Sequence, residues 1–134
     1  MAYSQLSAAR KNARATAENT AIGANCLIRI YTGAQPANPD AAATGTLLAT
    51  LTGNASGFGT VSGAVITANA ISQGTAVATG LAGWARVSTS GGTAWGDLDV
   101  GTSNASVIMN TTSISSGGPV QITSMTVTEV ANNV

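Results

Sequence analysis

The chain has 134 residues, five basic and five acidic side chains, a formal net charge of zero and no histidine. Charged residues make up 7% and aromatics 4%, against roughly a quarter charged in ordinary soluble domains. This excludes a disordered polyelectrolyte tail, histidine-ligated metal sites and histidine general bases, and it leaves little repulsion between copies, as a homo-oligomer or assembly component requires.

Residues 4–22 predict the one helix. Ser4 stands as its cap, and Leu6, Ala9, Ala13 and Ala17 recur at helical spacing on one face. Arg14 and Glu18 can pair across one turn, and Gly23 is the terminator. One Leu and several Ala side chains bury little area, so such a helix holds only when docked. Residues 1–23 are therefore expected to be a docking helix, with Leu6, Arg10, Lys11 and Arg14 at its contact face.

Cys26–Thr32 reads as the first strand, apolar on both faces and hence central or under the helix. Cys26 is the sole cysteine and reads as a small buried strand residue. Pro36 and Pro39 interrupt the loop that follows. Leu47–Thr52 is the second strand, with Leu47, Ala49 and Leu51 inward, and Gly53–Gly59 turns the chain. Val61–Ile71 and Thr75–Leu81 predict a pair joined around Gln73-Gly74. Trp84–Ser88 and Trp95–Val100 predict a hairpin across Gly91-Gly92. In that second strand Trp95, Asp97 and Asp99 share a face. Val107–Met109 and Ile114 flank a polar turn, and Val120–Val130 changes apolar parity near Ser124, which one bulge would reconcile.

Short strands at intervals of roughly 8–12 residues, with no helices between them, predict a mainly β domain. The expected form over residues 24–134 is an antiparallel β-sandwich or jelly-roll-like domain. No window reaches 18 continuous apolar residues, so a membrane span is not expected. No apolar stretch follows Arg10, Lys11 and Arg14, which argues against a secretory signal.

Little chemistry accompanies this framework. Asp97 and Asp99, two apart on a strand, read as a solvated face before a cation or polar contact; a metal site needs more ligands than they supply. Gly91-Gly92-Thr93 and Gly117-Gly118-Pro119 are turn signals without the lysine of a phosphate-cradling loop. Without histidine, a Ser nucleophile would depend on Lys11, the sole lysine, so no catalytic residue, metal or cofactor is expected. Arg10, Lys11 and Arg14 form too small a basic patch for nucleic acid and suit an acidic surface better. Arg29 and Arg86, isolated in strands, are expected to pair with acids. Tyr31, Trp84 and Trp95 read as core or interface anchors, with carbohydrate stacking as the alternative.

Several segments together carry a resemblance. They are the Ala- and Arg-bearing helix Leu6–Glu18, the strand Leu27-Ile28-Arg29-Ile30-Tyr31-Thr32-Gly33, and Pro36-Ala37. Gly45-Thr46-Leu47-Leu48-Ala49-Thr50-Leu51 and Gly80-Leu81-Ala82-Gly83-Trp84-Ala85-Arg86-Val87 follow. Val120-Gln121-Ile122-Thr123-Ser124-Met125-Thr126-Val127-Thr128 completes the set. In these the chain resembles a family of small tailed-bacteriophage and prophage virion proteins, over nearly its whole length. It departs from the pattern at Ala85, where an aromatic is common, and near Phe58, where relatives carry a bulkier insertion. The resemblance implies a non-enzymatic structural component on the outer surface of the phage head, assembled in the host cytoplasm. Its partners would be the major capsid protein or other virion proteins, and it would act as a capsid-decorating cement. The alternative it leaves is a tail, neck or fibre module that binds carbohydrate or another virion protein.

Overall fold

The computed structural model describes residues 7–128. Ser4, Leu6 and the last residues of the expected terminal strand lie outside that range. Helix α1 runs Ala8–Ile22, and its cap is Ser7, whose hydroxyl accepts the Arg10 amide. Gly23 ends it at φ 73°, a conformation that suits glycine, with its amide donating to the Asn19 carbonyl.

Eleven strands follow. They are β1 (Leu27–Thr32), β2 (Leu47–Thr52), β3 (Gly59–Ser62), β4 (Val65–Ala68), β5 (Gly74–Thr75) and β6 (Gly80–Ser88), then β7 (Ala94–Gly101), β8 (Val107–Met109), β9 (Ser113–Ile114), β10 (Pro119–Val120) and β11 (Ile122–Thr128). The main sheet has the order β2-β1-β6-β7-β8-β11-β4-β3, with β9 on β6 and a separate β10-β5 pair. The expectation of a mainly β domain with one helix holds. Its expected form, an antiparallel sandwich or jelly roll, does not describe what is seen: β7 and β8 run parallel, and one mixed sheet curls into an open half-barrel.

The half-barrel encloses a single core. Ile28 and Ile30 of β1 face Leu51 and Ala49 on one side and Val87 and Ala85 on the other, and all six are buried. Phe58, Ile66, Met109, Met125 and Val107 continue this layer, and Ala15 and Ile22 of α1 close it.

Bulges decide which side chains enter the core. The parity change expected near Ser124 is present, as a register shift between Ile122 and Ser124 that keeps Ile122, Met125 and Val127 all inward. A second shift, between Ile30 and Tyr31, gives β2 an extra residue, so Leu48 rather than Leu47 is buried with Ala49 and Leu51. The expected Val61–Ile71 strand is broken at Gly63-Ala64, whose φ values are 58° and 64°. Two left-handed residues in succession form the tight turn that matches strand twist. β3 and β4 therefore pair with each other, while Gly74, expected at a turn, lies with Thr75 in β5, which pairs with β10.

Ala64 carries its Cβ in a region that disfavours one. Ala64→Gly is expected to raise stability by about 0.5–1 kcal/mol, the left-handed penalty less the added chain entropy. A higher urea midpoint at unchanged slope would register it.

Candidate interaction site

The helix turns the alanine face read from the sequence away from its own sheet. Ala9, Ala13 and Ala17 are exposed, and the inward stripe is Asn12, Ala15, Asn19 and Ile22, spaced three, four and three apart. Only Ala15 and Ile22 of α1 are fully buried. Polar side chains complete the docking. Asn19 exchanges two hydrogen bonds with the Gly59 backbone, both at 3.0 Å. Asn12 accepts the Ala64 amide at 3.3 Å. Glu18 accepts the Trp95 indole N–H at 2.7 Å.

The outward side of the same helix is mostly alanine, with Arg10, Arg14, Thr16 and Thr20 exposed beside it. Arg10, Ala13, Arg14 and Ala17 line a shallow open concavity of about 400 Å³, and Ala9 and Ala21 extend its alanine surface. Lys11 sits half-buried at the margin, so only Arg10 and Arg14 of the expected trio share the exposed face. Leu6 lies outside the described residues.

The expected aromatic anchors separate. On the outer face of the sheet Tyr31 and Trp84 stack, ring centroids 4.7 Å apart and planes 15° from parallel. The Arg86 guanidinium lies 5.4 Å from the Trp84 ring. It donates twice to Asp97, at 2.7 and 3.0 Å, and once to the Ala41 carbonyl at 2.8 Å. That last bond ties the loop between β1 and β2 across the outer face. The Asp97 carboxylate holds Arg86 above the usual guanidinium pKa. Trp84 is fully buried, and its indole N–H has no hydrogen-bond partner.

Trp95 stands on the other side. A register shift between Val87 and Ser88 makes it the extra residue of a bulge, so it turns inward against the core and α1 while Asp97 points outward. The face expected to join Trp95, Asp97 and Asp99 is not formed. Asp97 and Asp99 do share the outer face, but Arg86 takes up the first and the second accepts the Ser106 amide at 3.1 Å. Neither is left as half of a carboxylate pair.

The ion pair expected of Arg86 is present; Arg29 makes none among the described residues. Cys26 is buried beside Gly53, and burial pushes its thiol pKa up. No group of three His, Cys, Asp or Glu among the described residues could hold a metal. No helix among them is long and apolar enough to cross a membrane.

Sequence reasoning missed Asn12 and Asn19 as docking residues, although their seven-residue spacing in phase with Ala15 and Ile22 is a readable signal. It also missed how Arg86 links the ion pair, the aromatic stack and the loop. Comparison with family models, curated proteins and solved structures gives no match.

Proposed function

We propose that this chain is a non-enzymatic structural protein of a tailed-phage virion that decorates the head. In this reading it docks the outward face of α1 on the major capsid subunits. The observation that carries the proposal is the outward face of α1, where Ala9, Ala13, Ala17 and Ala21 stand exposed with Arg10 and Arg14, while Asn12, Glu18 and Asn19 are engaged by the chain's own sheet. An exposed alanine-rich helix face fits a partner surface, and Arg10 favours one that supplies carboxylates.

The resemblance in sequence and the zero net charge agree with this reading. As a cement, the domain would act by burying area across subunit boundaries, where about 1,600 Å² makes a standard interface. Repetition over a symmetric shell makes modest individual contacts strong together. The carbohydrate-binding alternative loses its platform, because Trp84 is buried and Trp95 is held by Glu18.

Deleting the helix would be a poor test, since Ala15 and Ile22 belong to the core. Ala13→Glu with Ala17→Glu places two carboxylates on the exposed face and leaves the fold within about 0.5 kcal/mol. When the purified variant is added back to particles lacking this protein, occupancy of the head is expected to fall at least roughly tenfold, equivalent to 1.4 kcal/mol. Unchanged occupancy would refute the assigned face.

A further inference from the structure

We infer that α1 is a removable guard over a strand-pairing edge, and that the strand able to replace it is β3 of a second copy of this chain. β3 is the last strand of the main sheet. The Gly59 N–H and C=O point away from β4, because both bond to Asn19 of α1. Strand periodicity points the same groups of Val61 in the same direction. The Asn19 amide gives one donor and one acceptor to one residue, the exchange that a neighbouring strand's peptide groups would make. Asn12, two helical turns earlier, takes the Ala64 amide at the hairpin turn. The helix thus stands where another strand would lie.

Exposed edges are ordinarily protected by charge, proline or a bulge. Gly59-Thr60-Val61-Ser62 has no charge or proline, and its pairing to β4 runs without a register shift. Protection therefore rests on α1, which is held by two fully buried side chains and a few polar contacts. Loss of the polar contacts would free the outward groups of Gly59 and Val61 for another strand.

The edge is self-complementary. Antiparallel pairing about a two-fold axis sets Gly59 opposite the partner's Val61 and Val61 opposite the partner's Gly59, and each pair exchanges two backbone bonds. Thr60 then faces the partner's Thr60 on the axis. It would extend the row Thr60, Thr67 and Thr126 that already crosses three strands, and cross-strand threonine pairs are favourable. With zero net charge, copies meet without long-range repulsion. This inference concerns the isolated chain and stands or falls apart from any capsid.

The test is sedimentation velocity on the full chain at micromolar concentration. Asn12→Ala with Asn19→Ala removes three guard bonds, and self-association is expected to strengthen at least tenfold over the unaltered protein. Adding Val61→Pro removes an outward N–H but none of the bonds to β4, and should restore the monomer. A folded double variant that stays monomeric would overturn the inference, and so would a dimer indifferent to Val61→Pro. If the double variant does not fold, oxidation of Thr60→Cys in the otherwise unaltered chain decides. At a non-hydrogen-bonded site the Cα atoms lie about 4.5 Å apart, within disulfide reach. Disulfide-linked dimer exceeding that of Thr67→Cys supports the pairing; equal yields refute it.

Discussion

Asp97→Ala is expected to lower the unfolding free energy by about 3–5 kcal/mol, the range for breaking a buried ion pair from one side. The two side chains are only 11% and 4% exposed for Arg86 and Asp97. Both carboxylate oxygens accept from the guanidinium, which also donates to the Ala41 carbonyl of the overlying loop. Removing the carboxylate leaves a covered positive charge between the Trp84 ring and that loop, with only the longer-range attraction of Asp40 to offset it. Replacing both partners, as Arg86→Met with Asp97→Leu, should recover most of the loss, because no orphan charge remains. Urea denaturation of the three proteins separates the effects. A loss below about 1 kcal/mol for Asp97→Ala would mean that the pair behaves as a solvated surface contact.

Ile30→Ala is expected to cost about 4 kcal/mol or more, and more than Ile28→Ala. Both isoleucines are fully buried in the central strand β1. Ile30 lies between Ala49 and Ala85, whereas Ile28 lies between Leu51 and Val87. The cost of a large-to-small change depends on how far neighbours can collapse into the space. Two alanines cannot reach inward, while leucine and valine can lean toward the gap. The small Ala85 on β6 is thus matched by a large residue beside it on β1. Comparable losses for the two variants would show that other layers of the core relax equally well around both sites.

Legibility in the sequence followed how much each signal depended on one strand alone. β1 and β2 were readable because β-prone runs end abruptly at glycine and proline, and the hairpin of β6 and β7 because Gly91-Gly92 divides it. The bulge at Ser124 was readable because two apolar phases collide within one segment. The bulges beside Ile30 and Val87 left no such trace, since an extra residue is visible only against a partner strand, and they moved Leu48 and Trp95 inward. The Gly63-Ala64 turn was hidden because alanine gives no hint of positive φ. For α1 the helix was legible, but which of its sides meets the sheet was not. Alanine suits either side of a helix, and the docked side is chosen by amides that bond a sheet edge rather than by hydrophobicity. Arg86 was expected to find an acid, but its bond to the loop depends on a chain crossing that no local pattern encodes.

The proposal that this chain decorates a phage head is tested most directly by imaging intact particles that contain it, at a resolution that traces its backbone. The account expects many symmetry-related copies of the half-barrel on the outside of the head, with Arg10, Ala13, Arg14 and Ala17 against the major capsid subunits. Particles without this density on the head, or copies attached with that helix face turned to solvent, would contradict it.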